Sequence, residues 1–412
     1  MIKKTQRAFF YLLVIFLPTQ LGRHFFFNFS LISGIRSDYL TPTLYLTDII
    51  IIFLIILNLT TWRIDRGFWV WCFVIGYLFV NSILIAANQW VALYKMIKII
   101  EFIFLGIVIL KIKPKFDFIM FSLSVGVVYS SIIAVLQFIM QRSVGGILWF
   151  LGERTFYAST PGIAALSVGG RLLLRPYATF PHPNVLGGFL ATVLPIILAL
   201  IFNKKINKIL KIWFKLVFIL GFIALFLTFS RAAWSVFLFG MLFTVVNRKN
   251  AVSSFLAAHK NAFLVGFYSL LLISVSLFFF LPLKHQSFVE RSQLISATIG
   301  MVSSSSLFGV GLNNFVIKAK DYLPKVFDFY IFQPVHNVYL LILAELGIVG
   351  FAIFMVFIFY LLAKSLKTNP LVTTVIFQLA LLGFFDHYLF TLQQGQLLFT
   401  LFASLAFLPQ KN

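Results

Sequence analysis

Apolar runs of about 17 to 25 residues recur along the whole chain, and runs of that length are read as helices that cross a bilayer. Twelve spans are expected, at 8–22, 44–60, 67–87, 91–110, 118–140, 184–203, 212–229, 232–247, 262–282, 336–360, 371–387 and 389–409. Composition points the same way. The 412 residues are 61% hydrophobic, 18% aromatic and only 11% charged, with a mean hydropathy of +1.01. Average globular domains carry about 25% charged residues, and a soluble domain of this size could not hide so much apolar surface. The expected fold class is all-α: a polytopic integral membrane protein, one membrane domain over 1–412. The segment MIKKTQRAFFYLLVIFLPTQ has a charged and then an apolar region but no small-x-small cleavage site, so an uncleaved signal-anchor helix is expected there.

Net charge is +22. In a soluble protein this would suggest nucleic acid. Here lysines collect in short loops between apolar runs, as the positive-inside rule requires, and no nucleic-acid partner is expected. With both termini inside, inner segments hold 19 of the 33 basic residues, 15 Lys and 4 Arg. Outer segments hold 12, of which 8 are Arg: Arg23, Arg36, Arg142, Arg154, Arg171, Arg175, Arg231 and Arg291. Inner Lys sets topology as a point charge. Outer Arg opposes that rule, and its planar fork suits phosphate oxygens. The outer face therefore reads as built to hold an anion. Two outer segments, 141–183 and 283–335, are too long for simple connections and are expected to be functional loops. No internal repeat recommends a transporter.

Four stretches carry candidate chemistry. In RPYATFPHPNVLGGFL, prolines on both sides of His182 force extended backbone and Asn184 is suited to cap the helix that follows. This is either a plain helix start or a site with Arg175 as phosphate ligand and His182 as a polar contact. In LTFSRAAW, Arg231 lies between two apolar runs with almost no loop, so its guanidinium faces a cavity or snorkels to the interface; Ser230 is placed to cap the next helix. In FVERSQLISATIGMVSSSSLFGVGLNNF, a surface helix over 287–303 carries Arg291. A serine break and a turn at Gly309, Gly311 and Asn313 follow, and the lone GxG follows no strand, which rejects a dinucleotide site. In QPVHNVYLLILAELGIVGF, His336 opens a long span with Asn337 in its first turn. A neutral imidazole with a pKa near about 6.5 can take a proton from a sugar hydroxyl, although an interfacial hydrogen-bonded histidine has the same signature.

Charges inside spans are the best argument for a transporter. Lys98 and Glu101 are spaced to pair on one helix face, Asp48 and Lys95 also lie inside spans, and Glu345 needs a buried partner such as Lys95, Lys98 or an arginine. Asp386 and His387 fall at an outer turn, where they orient a site or cap a hairpin. The outer carboxylates are scattered and never form DxD, and Cys72 is the only cysteine, so neither a disulfide nor a metal site is expected and no cofactor is implied.

In this order, the four stretches resemble the O-antigen ligase and O-antigen polymerase superfamily of bacterial envelopes. The likeness covers about residues 170–360, with DHYLFTLQQGQ fitting the family's tail; the first 140 residues share only its hydropathy. The resemblance implies a twelve-span glycosyltransferase of the C-type architecture in the bacterial cytoplasmic membrane, with an extracytoplasmic active site. It implies transfer of a glycan from undecaprenyl diphosphate to an acceptor hydroxyl on a glycan, lipid or protein, without a metal. By motif, the family's SR arginine falls on Arg231, its long-loop arginine on Arg291 and its histidine on His336. Expected site residues are therefore His336, Arg231 and Arg291 for catalysis. Arg175, His182, Asn184, Asn313 and Asn337 are expected to contact diphosphate or glycan.

Overall fold

The computed structural model describes residues 2–59, 66–168, 170–246, 285–323 and 333–408. Helix dominates because each apolar run closes its own backbone hydrogen bonds. After α1 (Ile2–Ile15), the connecting segment forms two small antiparallel pairs, β1 (Gly22–His24) with β4 (Thr43–Tyr45) and β2 (Leu31–Ile32) with β3 (Ile35–Arg36). Then come α2 (Leu46–Ile56), α3 (Arg66–Val80) with a π turn at Asn81–Ile85, α4 (Gln89–Ile112) and α5 (Phe116–Met140). The long segment after α5 holds a 3-10 turn at Gly146–Leu151 and a hairpin of β5 (Ala165–Val168) and β6 (Arg171–Leu174). The rest is helical: α6 (Pro183–Ile201), α7 (Lys208–Leu227), α8 (Arg231–Val246), α9 (His285–Ser304), α10 (Phe315–Tyr322), α11 (Val338–Thr368), α12 (Pro370–Leu382), α13 (Tyr388–Thr391) and α14 (Gln393–Leu405).

Four of these helices, α5, α6, α7 and α11, are long and apolar enough to cross a membrane, and four shorter apolar helices lie at 46–58, 69–85, 231–244 and 370–382. Helix α4 has the length, at 24 residues, but Lys95, Lys98 and Glu101 interrupt its apolar run. The expected span at 262–282 lies outside the described residues. Among the described residues the short strands lie within 22–45 and 165–174, and the fold is otherwise helical, as expected.

Helix α6 is the packing axis. Almost every side chain from Pro183 to Ile201 is buried, and α7 and α8 lie along it. Its Gly187–Gly188 pair explains how neighbours come so close. A Cβ on Gly187 would lie 2.9 Å from the Ala233 Cβ, and one on Gly188 only 1.8 Å from the Tyr388 hydroxyl. The pair thus lets α8 and α13 close on the start of α6, which gathers residues 182, 231 and 387 at one end of the bundle.

Helix α11 is broken at Gly347, whose backbone (φ 64°, ψ −170°) is open to glycine but strained for other residues. The freed groups are satisfied by the segment after α9. Val310 N donates to Ala344 O and Gly311 N to Glu345 O, both at 2.9 Å; Ile348 N reaches Ser306 O at 2.9 Å; and Tyr77 donates to Leu346 O at 2.5 Å. GVGLNNF is therefore a plug in a helix break, not a free turn of the outer loop. Elsewhere in the bundle, Lys98 Nζ lies 2.6 Å from Asp48 Oδ1 and 2.8 Å from Glu101 Oε2, as the Lys98–Glu101 spacing predicts, with Asp48 added from α2.

Candidate active site

The site starts from a turn held open by α5. Gln137 accepts from Tyr177 N (2.9 Å) and Ala178 N (2.8 Å) and donates to Ala178 O (3.2 Å), fixing Ala178 in the left-handed region at φ 51°. The prolines then deliver His182 in extended backbone as the N-cap of α6, its Nδ1 accepting from Asn184 N at 3.1 Å. The cap is therefore His182 and not Asn184, because Pro183 occupies the first helical position and sets the register.

Relieved of capping, the Asn184 amide becomes a bridge. Its Oδ1 accepts from Arg175 Nη2 at 2.7 Å and its Nδ2 donates to Asp386 Oδ2 at 3.2 Å. Arg175 Nε donates to Thr228 O at 2.8 Å, tying the guanidinium to the turn before Arg231. In that turn Phe229 is left-handed at φ 49°. Two non-glycine residues in this sparse region, Ala178 and Phe229, thus flank His182 and Arg231. Such strain is retained where the surroundings over-determine it, typically at functional sites.

Asp386 is the hub of the other half. Its Oδ1 accepts from His387 N at 2.8 Å and lies 3.4 Å from His336 Nδ1 and 3.9 Å from His387 Nε2. The His336 approach is an ionic contact without hydrogen-bond alignment, and His336 Nδ1 has no other partner among the described residues. The His336 and His387 rings are 5.2 Å apart between centroids. His387 Nδ1 pairs with Thr391 Oγ1 at 2.7 Å, and Tyr39 meets its ring edge-on at 5.3 Å.

The charges of Arg231 and Arg291 also reach Arg175. Burial brings the Arg175 guanidinium down to about 10; Tyr177 opposes the change, and the charges of Arg291 and Arg231 reinforce it. Burial also brings His182 down to about 3, helped by the charge of Arg175, and His387 to about 3 against the pull of Asp386. For Asp386, burial pushes the carboxyl up. The adjacent His336 and the imidazoles of His387 and His182 pull harder and hold it well below the usual carboxylate range. At neutral pH the site therefore holds one carboxylate, neutral His182 and His387, and the fields of three arginines.

The other expected contacts serve as braces. Asn313, left-handed at φ 56°, donates its backbone N–H to Glu345 Oε2 (2.9 Å) and its amide to Tyr39 O (3.3 Å). Asn337 is the N-cap of α11, accepting from Leu340 N at 2.9 Å and donating to Phe384 O at 3.2 Å. Both amides are spent on backbone, not offered to the charged cluster. Arg231 opens α8 and makes contacts of its own, and Arg291 is exposed on α9. His336, Asp386 and His387 offer donor atoms within 4.8 Å of one another, a spacing open to a metal ion. Both Asp386 oxygens also accept hydrogen bonds, from His387 N and Asn184 Nδ2.

Residues 216–355 match the model of the O-antigen ligase family. The matched stretch contains Arg231, Arg291 and His336, and leaves Arg175, His182, Asn184 and Asp386 outside it. It supports an O-antigen ligase-like superfamily for this chain. The matched stretch is about a third of the chain, and it suggests a membrane enzyme of O-antigen ligase or polymerase type. No curated protein matches the chain.

Proposed function

We propose that this O-antigen ligase-like chain transfers a glycan from undecaprenyl diphosphate to an acceptor hydroxyl on the outer face of the cytoplasmic membrane. The observation that carries the reading is the meeting of three arginine fields with a histidine–carboxylate contact. Arg291 and Arg231 both act on Arg175, and Arg175 connects through Asn184 to the Asp386 that faces His336.

In the reaction, Arg175, Arg231 and Arg291 hold the diphosphate. With Nδ1 turned to Asp386, the His336 imidazole has Nε2 left for the acceptor. The acceptor oxygen attacks the anomeric carbon as its proton passes to Nε2. The bond from that carbon to the diphosphate oxygen breaks, and the bonding pair leaves with undecaprenyl diphosphate. Growing charge on the leaving group is met by guanidinium groups already in place, so no general acid is required. Asp386 stabilises the imidazolium as it forms. Direct displacement inverts the anomeric centre, and no metal takes part. Polymerisation of repeat units and glycosylation of a protein hydroxyl use the same chemistry and differ in the acceptor.

The test is transfer by purified protein from a lipid-diphosphate glycan donor. His336→Ala is expected to slow transfer by about 10²–10⁴-fold while donor binding persists. Unchanged transfer removes His336 as the base. An intact protein that transfers to none of the three acceptor classes, yet moves donor across a vesicle membrane, supports a flippase instead.

A further inference from the structure

Lys95 on α4 and Glu345 on α11 are buried charges to which the proposed reaction gives no role. Each is fastened to a different half of the site. Glu345 lies just before the break at Gly347, and its two carboxylate oxygens accept from Asn313 N at 2.9 Å and Phe315 N at 3.2 Å. Its carbonyl accepts from Gly311 N at 2.9 Å. One residue thus clamps the strip that joins α9, the helix of Arg291, to α10. The fit is close: a Cβ on Gly309 would fall 2.4 Å from the Glu345 carbonyl carbon.

Lys95 grips the other half. Its Nζ donates to Phe390 O and stands 4.8 Å from the centroid of the Phe390 ring. Phe390 belongs to the single turn α13 that follows Asp386 and His387, and its N–H donates to His387 O at 2.9 Å. The charge of Lys95 acts on both Glu345 and His387. Lys98, by contrast, one turn along α4, is paired with Asp48 and Glu101 and makes no bond to either half.

We infer that Lys95 and Glu345 are positioning residues. Together they set the separation between the Arg291 helix and the Asp386–His387 turn, and so hold the diphosphate clamp in register with the base. The catalytic consequence rests on the glycan-transfer reading; the structural one does not. Changing either residue ends its bonds to its own half: without Lys95 the Phe390 carbonyl loses its donor, and without the Glu345 carboxylate the N–H groups of Asn313 and Phe315 lose a charged acceptor. A displacement of about 1 Å at a reacting centre costs roughly 10²-fold in rate.

The experiment measures distance and activity on one set of proteins. In a Cys72→Ser background, spin labels at Ser292→Cys on α9 and Phe384→Cys beside Asp386 report the separation by electron–electron spectroscopy. Lys95→Met and Glu345→Gln are each expected to broaden or shift that distance and to lower kcat/KM for the donor. The double variant is expected to shift the distance and lower kcat/KM at least as far as either single variant. Lys98→Met, destabilised for other reasons, should leave the distance where it was. Unchanged distances in the single variants overturn the inference, as does a double variant whose distance matches the wild type. Should the single variants fail to fold, Glu345→Asp keeps the charge and shortens the clamp by one methylene. It must shift the distance, and no shift overturns the inference. A wild-type protein without transfer activity defeats the glycan-transfer reading alone, because the distances still decide whether the pair positions the two halves.

Discussion

Lys98 and Arg175 are both largely buried cations, and the protein treats them in opposite ways. Lys98 has carboxylates at 2.6 and 2.8 Å, and Gln393 of α14 bonds to Thr47 and Asp48 beside it. Arg175 has no carboxylate in contact among the described residues. Its partners are a carbonyl and an amide oxygen, and Asp386 is reached only through Asn184. Two further arginines add their fields to it. Buried charge is tolerated when it is paired, so the Lys98 ammonium needs no further partner, although Glu101 Oε1 is left without a hydrogen bond among the described residues. The Arg175 cluster carries surplus positive charge that a multiply charged anion would complete. One region supports the fold, and the other is the one proposed above to take a ligand.

The largest effect that could break this contrast is on the Lys98 side. Lys98→Met leaves Asp48 and Glu101 buried without their cation and is expected to cost about 3–5 kcal/mol of stability. Protein that remains folded should bind the lipid-diphosphate donor as before. Thermal unfolding in detergent and donor titration read the two effects separately, and a loss of donor affinity larger than the loss of stability would merge the two regions. Next comes Arg291→Ala. The side chain is exposed on α9, so the melting temperature should hold while kcat/KM for the donor falls by about 10²–10³-fold, the usual cost of losing one charge-stabilising donor. Arg291→Lys should recover part of it, since a point charge keeps the attraction and loses the fork. Full activity in Arg291→Ala would remove that residue from the clamp.

How far the sequence reveals these regions depends on what sets each feature. Local signals carried well. The prolines around His182, the short turn before Arg231 and the serine break after α9 each act within a few residues, and the structure follows them. The Lys98–Glu101 pair was legible from helical spacing. What was not legible is convergence over long separations. Asn184 and Asp386 are 202 residues apart, and nothing in either stretch names the other. The work of Glu345 was hidden for the same reason: its partners are backbone N–H groups, which every residue has. The left-handed conformations of Ala178 and Phe229 were invisible because those residue types do not favour them, whereas asparagine at 313 is a common occupant of that region.

Acid should loosen the site region specifically. His182 and His387 move from an ordinary value of 6.5 to about 3 in the fold, so between those values the unfolded chain binds more protons than the folded one. Stability therefore rises with pH through that window and is lost as pH falls from about 6.5 towards 3. Asp386 has the same sign, since its depressed pKa also favours the folded state above the carboxylate range. A melting temperature that falls from pH 7 to pH 4 is expected. His387→Gln should flatten the fall, because an amide has no proton to gain. A flat profile in the wild-type protein would mean that these imidazoles are solvated and that the site is more open than the contrast with Lys98 requires.

The smallest effect probes the seam between the two regions. The Tyr388 hydroxyl is buried without a hydrogen-bond partner among the described residues, in the space that Gly188 leaves on α6. A buried hydroxyl with no partner costs about 1–3 kcal/mol, and Tyr388→Phe removes it while keeping the ring that packs α13 against α6. The variant should therefore gain about 1 kcal/mol, read as a small rise in melting temperature, with transfer unchanged. The reverse result, a loss of stability and activity together, would show that the hydroxyl has a partner in the working protein. Because Tyr388 sits next to His387 and Asp386, that partner would be a water or substrate group reaching further into the bundle than the arginine cluster, and the division between a closed structural region and an open binding one would have to be drawn deeper.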